Sequence, residues 1–241
     1  MESITSGNIL PREFYSMREY TEERKWKAEK RCHIMDTAFR LFSERGIDPV
    51  TMPEIAEKCG LGRATVYRYF ETKPELVMAI GTRKWEEYID AHNHYLPAET
   101  LAAMTGSERL RFFMDSFIDL YRNHRDILRF NYFFNNYVVY GAGASADRQS
   151  FMNMLKRLAG IFYSICERGK EDGTLRDDIS EENEFASLFH IMLAAVTRYA
   201  SGLVYVPETE YDLEHELVML EEMLLARFIT AETLPPANGV R

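Results

Sequence analysis

Few side chains in this sequence are spaced to bind a metal ion or to catalyse a reaction. His92 and His94 lie two positions apart, where helical side chains point away from each other. Asp212 and His215 are three apart, as helical-bundle metal sites require, but the matching carboxylate helices are missing. No nucleophile elbow, glycine-rich phosphate loop or zinc spacing occurs. We expect no catalytic residue, metal site or cofactor, with a helical-bundle metal-dependent enzyme as the alternative.

The cysteines and apolar runs indicate where the protein resides. Cys32, Cys59 and Cys166 form no CxxC pair and are odd in number, so neither a disulfide framework nor a zinc ribbon is predicted. The longest apolar run, Ile191–Val196, is too short to cross a bilayer, and the N-terminus lacks the features of a signal peptide. We expect a soluble cytoplasmic protein with no membrane partner.

Apolar residues recur at helical spacing along the chain, and strand patterns are nearly absent. A first helix is expected to end at Gly46, and the polar arm Glu22–Arg31 should extend it outward. Its apolar stripe consists of Ile34, Ala38, Leu41 and Phe42. Longer helices are predicted at about residues 107–123, 125–140, 147–171, 181–204 and 211–230. The sequence therefore predicts an all-α fold.

Two short helices are predicted directly after the first helix. Thr51 suits the N-cap of a helix of about two turns, Pro53 fits its first turn, and Gly60 ends it. The next short helix is predicted over Arg63–Phe70, with Val66 and Phe70 one turn apart on its buried side. Two short helices joined by a glycine-containing turn form a helix-turn-helix, whose second helix enters the major groove of DNA. DNA binding is therefore one hypothesis for this segment.

Charge is distributed unevenly along the chain. The net charge is −9, yet residues 1–75 hold 13 basic and 13 acidic residues, so the whole acidic excess lies beyond them. Between Arg63 and Lys73 there are three cations, including Arg68, and one anion, Glu71. Phosphate neutralisation supplies most non-specific affinity for DNA. A small cationic surface on an acidic molecule should therefore bind specific sites and coat DNA poorly.

Two stretches around the short helices carry a specific pattern. Residues 38–46 read AFRLFSERG, and residues 51–76 read TMPEIAEKCGLGRATVYRYFETKPEL. This pattern, AxxLFxxxG followed by T, IA, G and TxYxYFxxKxxL, resembles the TetR family of bacterial transcriptional regulators. Two positions depart from it: Met52-Pro53 replace a frequent polar or basic residue, and Gly62 replaces the common capping Ser. The resemblance implies a repressor that a small-molecule effector releases from a palindromic, double-stranded operator.

Carried over position by position, the resemblance makes residues 63–70 the recognition helix. Arg63 has the geometry for a bidentate pair with guanine, worth about 1–3 kcal/mol of discrimination. Ala64 and the Thr65 methyl are expected at a thymine methyl, and the remaining positions at phosphates or the groove edge. The expected DNA-binding residues are Thr51, Arg63, Ala64, Thr65, Tyr67, Arg68, Tyr69 and Lys73.

Several of these positions also have a purely structural interpretation. Tyr69 fits core or interdomain packing as well as DNA contact, and Phe70 is expected in the core. Lys73 also fits a solvated charge without a partner. The basic run from Arg24 to Arg31 is expected to be a solvated helix face, with a minor-groove arm as the alternative. A helical adaptor without DNA function is the remaining alternative for the whole chain.

The C-terminal region is rich in Met and aromatic residues, most of which must fill a helical core. The resemblance implies an effector pocket between these helices, and so aromatic a cluster suits an apolar or aromatic molecule. The expected lining residues are Phe117, Tyr121, Phe133, Tyr137, Phe162, Phe189 and Met192. Effector binding is expected to favour a conformer in which the helix from about Thr72 to Tyr95 swings.

The last two predicted helices have apolar stripes wide enough to face both the protomer and a partner. The resemblance implies a homodimer with a four-helix interface formed by this pair, because two-fold symmetry presents two recognition helices to two half-sites. The expected interface residues are Phe185, Phe189, Val196, Leu217, Leu220, Leu224 and Phe228.

The elements divide the sequence into four segments. Residues 1–30 form an N-terminal arm and the start of the first helix, and residues 31–88 form a three-helix DNA-binding domain. A larger helical regulatory and dimerisation domain covers residues 89–230, and residues 231–241 form a disordered tail. Such a protein is expected at the bacterial nucleoid when it is bound to DNA.

Overall fold

A computed structural model describes residues 12–141, 147–204 and 212–230, with side chains from residue 22 onward. Within these ranges the chain is all-α, as predicted, and its single β feature is an isolated bridge between Leu175 and Ile229. The helices are α1 Arg12–Arg45, α2 Met52–Lys58, α3 Arg63–Tyr69, α4 Lys73–Asn93, α5 Ala98–Ala103, α6 Gly106–Asn123, α7 Arg125–Tyr140, α8 Gln149–Glu171, α9 Glu181–Ala200 and α10 Leu213–Phe228. None of these described helices is long and apolar enough to cross a membrane.

The predicted helix boundaries agree with α6 to α10 to within a few residues. The short helix α5 was not predicted, because none of its residues is buried and it therefore has no apolar stripe. The predicted disordered tail, residues 231–241, lies outside the described residues.

Helix α1 changes character along its length. Residues 22–29 are exposed, so the polar arm extends the helix outward, as predicted. The following turns carry the predicted stripe, and Ile34, Ala38 and Phe42 are fully buried. The helix ends at Gly46, whose φ of +88° lies in the left-handed region that favours glycine. A Cβ atom on Gly46 would lie 3.3 Å from the ring of Phe133, so this residue also permits close approach of α7.

Helix α7 joins the N-terminal helices to the rest of the molecule. Phe130 packs against Phe39 of α1, with 5.5 Å between ring centroids. Phe134 lies so close to Gly81 of α4 that a Cβ atom there would be 2.8 Å from its ring. Aromatic rings of α7 therefore pack directly against both α1 and α4.

The N-terminal end of α6 is fixed to the C-terminal end of α8. The backbone N–H of Gly106 donates to a carboxylate oxygen of Asp172 at 2.8 Å, and that of Ser107 donates to the hydroxyl of Thr174 at 3.0 Å. Gly106 and Gly169 touch at this crossing, where a Cβ atom on Gly106 would overlap the Gly169 backbone. The small residues therefore set the distance between the two helices.

A carboxyl group is buried between α6 and α10. Glu221 is 3% exposed, and its Oε1 atom has no hydrogen-bond partner among the residues described. The pKa of Glu221 is raised to about 7, chiefly by burial and also by the carboxylates of Asp115 and Glu222, while Arg111 opposes the rise. Glu221 is therefore largely protonated in mildly acidic solution, because the neutral acid is the form that burial favours.

Replacing the glycine at the α6 and α8 crossing should destabilise the fold. Gly106→Ala is expected to lower the free energy of unfolding by about 3 kcal/mol, because backbone must move to accept the methyl group. The matched control is Gly160→Ala at an exposed position of α8, where no atom lies within 4 Å of the new Cβ. Here the higher helix propensity of Ala should raise the free energy of unfolding by about 1 kcal/mol. Urea denaturation measures the free energy of unfolding of both variants. Equal effects of the two substitutions would contradict the close crossing.

Protonation of Glu221 should make stability depend on pH. Its pKa is raised from an ordinary 4.5 to about 7, so its contribution is complete below the ordinary value and is lost as pH rises through 7. The free energy of unfolding in urea should fall between about pH 4.5 and pH 7. Glu221→Gln should reduce this fall, because the amide stays neutral, whereas Glu182→Gln, which changes an exposed carboxyl group of α9, should retain it. An unchanged fall in Glu221→Gln would show that another group is responsible.

Candidate nucleic-acid interface and effector cavity

Helices α2 and α3 are joined by a tight turn. The side chain of Thr51 caps α2 by accepting the Glu54 backbone N–H at 3.3 Å, as predicted. Gly60 then turns the chain with a φ of +65°, and Leu61 closes the turn through a backbone hydrogen bond to Ala56 at 3.0 Å. The two short helices are thus held in a fixed mutual orientation by local hydrogen bonds.

One face of α3 is buried and the opposite face is open. Val66, and Phe70 directly after the helix, are both fully buried, as the sequence predicted. The exposed residues of the helix are Arg63, Ala64, Tyr67 and Arg68, and Thr65 is half-buried. The open face therefore presents two arginines and a tyrosine to solvent.

Arg31 of α1 holds the end of α3. Its guanidinium donates to the carbonyl oxygen of Tyr69 at 3.2 Å and lies over the ring of Phe70, 4.2 Å from the centroid. His33, two residues further along α1, forms a hydrogen bond with the carbonyl oxygen of Cys59 at 3.1 Å. The expectation that residues 24–31 form a solvated face is therefore wrong for Arg31. No local sequence pattern indicated this contact of Arg31, because it joins residues 38 positions apart.

Two of the expected DNA contacts are engaged inside the protein. The ammonium of Lys73 donates to the carbonyl oxygen of Asp48 at 3.1 Å and lies 5.6 Å from the ring centre of Tyr137. Burial lowers the pKa of Lys73, and the carboxylate of Asp48 partly opposes this. Tyr69 is half-buried and packs against the core. Both residues therefore position α3 and the start of α4, whereas Thr51 is exposed beside them.

The candidate metal ligands are occupied by structural hydrogen bonds. His92 is half-buried, bonds to the carbonyl oxygen of Phe112 at 3.2 Å and stacks on its ring at 4.3 Å. His94 is exposed and bonds within its own helix end. Asp212 caps α10 by accepting the backbone N–H of His215 at 3.2 Å. In the described part of the chain, no group of three or more His, Cys, Asp or Glu residues is placed to hold a metal ion.

A small apolar cavity lies between α4, α6, α8 and α9. Its volume is about 30 Å³, and Trp85, Phe113 and Leu158 are among its lining residues. Of the residues expected to line an effector pocket, Phe117 and Phe189 do so, and their rings pack 5.9 Å apart. Ligand pockets are typically about 300–1,000 Å³. This conformation is therefore closed, and a ligand would have to displace side chains.

The other residues expected in the pocket lie elsewhere. Phe162 and Met192 are fully buried in the core without lining the cavity. Tyr121 follows the lining residue Leu120 directly, but its ring packs against Tyr199 of α9 and does not line the cavity. Phe133 and Tyr137 face the N-terminal helices through the contacts of α7 described above. Aromatic content alone therefore did not distinguish the cavity from the core.

The residues expected at a dimer interface divide into two groups. Val196, Leu217 and Phe228 are almost completely buried within one chain, so they are core residues and offer no surface to a partner. The half-buried members pack against the same core: Phe185, Phe189, Leu220 and Leu224. The exposed large apolar residues of α9 and α10 were not predicted and are Ile191, Met219 and Met223.

Comparison with known proteins supports the assignment of the N-terminal helices. Residues 34–80, from the second half of α1 into α4, match the family model of bacterial regulatory proteins of the tetR family. A helix-turn-helix-type transcriptional regulator of Staphylococcus aureus (strain bovine RF122 / ET3-1) is 27% identical, with 43% of this chain and 74% of the relative covered. A regulator of the same type from strain USA300 is 32% identical, with 30% of this chain and 43% of the relative covered. The latter match spans less than half of that relative.

Solved structures share the fold over most of the chain. The transcriptional regulator FadR of Bacillus subtilis, solved with stearoyl-CoA, has a TM-score of 0.62 and 18% identity, covering 81% of this chain and 98% of that one. A regulator of Saccharomonospora viridis, solved with choline, has a TM-score of 0.67 and 18% identity, covering 84% and 99%. At this identity the likeness shows the fold alone.

The geometry and the comparisons agree on the N-terminal part of the chain. The matched residues contain the tight turn, the open face of α3 and the capped start of α4. The curated relatives are transcriptional regulators, and none of the described residues forms a metal cluster. Residues 34–80 therefore resemble the helix-turn-helix DNA-binding domain of TetR-family bacterial transcriptional regulators, in sequence and in the geometry of α2 and α3.

Proposed function

We propose that this protein is a homodimeric repressor that binds a palindromic operator through α3 and releases it when a small apolar or aromatic effector binds. The observation that carries the proposal is the open face of α3, which presents Arg63, Tyr67 and Arg68 while Val66 and Phe70 anchor the helix below. A two-fold dimer would place two such faces in successive major grooves.

The exposed residues have distinct proposed roles on DNA. Arg63 pairs with a guanine, and the small side chain of Ala64 lets the helix approach a thymine methyl. Tyr67 and Arg68 contact phosphates or the groove edge, as does Thr51 at the start of α2. Thr65 is half-buried and contributes its outer surface, while Tyr69 and Lys73 act by positioning α3.

Helix α4 is the proposed route from effector to DNA. It begins beside α3 at Lys73, passes Phe134 of α7 at Gly81 and reaches the cavity at Trp85. A ligand that enlarges the cavity must displace Trp85, and a continuous helix carries that displacement toward the DNA-binding domain. The ligand changes operator affinity only as far as it binds the two conformers differently.

The proposed domain division follows the same helix. Residues 31–88 act as the DNA-binding unit and residues 89–230 as the regulatory and dimerisation unit, with the boundary inside α4. The packing of α7 on α1 supports a tight coupling of the two, because Phe130 and Phe39 belong to different units. A displacement in one unit is therefore resisted or followed by the other.

The proposed dimer surface is the outer side of α9 and α10. Met223 is 71% exposed, and Met219, one turn before it, is also exposed. Ile191 adds an exposed apolar side chain on α9. Three large apolar side chains on two adjacent helices suit burial against a second copy, because a closed two-fold interface is self-complementary.

Selection of operators from random DNA should give a palindromic consensus. Arg63→Ala should weaken binding to the selected sequence by about 5- to 150-fold, because a bidentate base contact is lost, and it should relax base preference at one position in each half-site. Arg129→Ala, which removes an exposed arginine of α7, is the matched control and should bind normally. A non-palindromic consensus, or equal binding by both variants, would contradict the proposal.

A charge on the proposed dimer surface should separate the protomers. Met223→Glu should yield a monomer by light scattering at micromolar concentration, since two-fold symmetry brings the new carboxylates close together. Met152→Glu on α8 alters an equally apolar exposed residue outside this surface and should remain dimeric. A dimeric Met223→Glu, or a monomeric wild-type protein, would show that the surface is assigned wrongly.

A further inference from the structure

A second cavity lies beside the first, next to α5. Its volume is about 90 Å³, and Leu101, Arg109 and Ser164 line it from α5, α6 and α8. Four residues line both cavities: His92, Asn93, Phe113 and Ile161. The two cavities are therefore neighbours, and these four residues lie between them.

Arg109 lines the second cavity without a negatively charged partner. Its Nε atom is buried and has no hydrogen-bond partner among the described residues. Its Nη2 atom reaches the carbonyl oxygen of Ala102 at 3.5 Å, the long limit of a hydrogen bond. Buried polar groups are normally satisfied, and a guanidinium is the donor for which the loss is most costly. Arg109 is thus a cation with unused donors beside an open space.

Other arginines of α6 contrast with Arg109. Arg111 pairs with Glu222 and Arg122 pairs with Glu214, both on α10. These pairs hold the two helices together on the side away from the cavities. Arg109 has no such pair in the described structure, so it is free to meet an anion from outside the chain.

The lining of the two cavities selects the charge of a ligand. Neither lining contains an Asp or Glu residue. Burial lowers the pKa of His92, although its hydrogen bond with the Phe112 carbonyl opposes this, so His92 is neutral at pH 7. Arg109 is therefore the one charged side chain among these lining residues. An anionic group would be paired there, whereas a cationic group would be repelled.

We propose that the two cavities together bind a small organic acid whose carboxylate pairs with the Arg109 guanidinium and whose apolar body lies beside Trp85 and Phe113. The planar guanidinium fork matches a carboxylate through two parallel hydrogen bonds. The surrounding rings favour an aromatic ring or a short alkyl chain. This acid is the effector of the proposed repressor, so its biological role rests on that proposed function, whereas its binding does not.

Trp85 provides a direct signal for binding, since the chain contains two tryptophans and Trp26→Phe leaves Trp85 alone. The full-length Trp26→Phe protein is titrated with 3-phenylpropionate and hexanoate, and with the matched alcohols 3-phenylpropanol and hexanol. At least one acid should change the Trp85 fluorescence and bind at least about tenfold more tightly than its alcohol, because charge-assisted hydrogen bonds form with the acid alone.

Two substitutions on α6 identify the binding group. Arg109→Gln should weaken binding of the acid by about 10- to 100-fold. It should change binding of the alcohol by no more than about twofold, and this unchanged affinity would show that the cavity is intact. Arg111→Gln, which removes a neighbouring arginine paired with Glu222, should leave both unchanged. Acids and alcohols of equal affinity, an Arg109→Gln protein that binds the acid normally, or no response to any of the four compounds would overturn the proposal.

Operator binding distinguishes this proposal from the proposed function. The selected operator is titrated with protein in the presence and absence of the acid that binds. A loss of operator affinity that requires Arg109 supports both proposals. An acid that binds through Arg109 but leaves operator affinity unchanged supports the anion site and overturns the effector-responsive part of the proposed function.

Discussion

A helix of seven residues is not stable by itself in water, so the open face of α3 depends on the contacts that anchor the closed face. Val66 and Phe70 bury the closed side, and Arg31 fixes the last turn by its hydrogen bond to the Tyr69 carbonyl. The N-cap residue is Gly62, which offers no side-chain hydrogen bond. Tertiary packing therefore stabilises α3 in place of a side-chain cap, and the residues on its open face are not part of these anchoring contacts.

Close packing also determines how α7 contacts α1 and α4. Gly46 and Gly81 lack side chains where the rings of Phe133 and Phe134 approach, so α7 lies directly on the backbone of α1 and α4. Contact between ring and backbone leaves little room for independent motion. In the proposed mechanism, a change in the angle of α4 would move α7 as well, and the cavity that would start this change lies along the second half of α4.

Local signals in the sequence predicted the features that depend on neighbouring residues. Thr51 as a cap, Gly46 as a helix end and Val66 as the buried residue of α3 follow from spacing and backbone preference. Features that depend on distant residues were not predicted. An apolar stripe indicates that a helix face is covered but not which neighbour covers it, so Val196 and Leu217 were expected at a dimer surface and are core residues. Arg31 was missed for the same reason.

The pairing of basic residues with carboxylates explains how a protein of net charge −9 can still present cations at particular sites. Most basic residues of the C-terminal helices whose contacts are described pair with carboxylates, as Arg111 and Arg122 do on α6. The exceptions include the open face of α3, where Arg63 and Arg68 face solvent, and the second cavity, whose lining contains Arg109 but no carboxylate. Because an acidic surface repels phosphates, the cations on the open face of α3 favour DNA binding at that face. The proposed acid would pair with Arg109 at the second cavity, so it would not compete with DNA for the same cations.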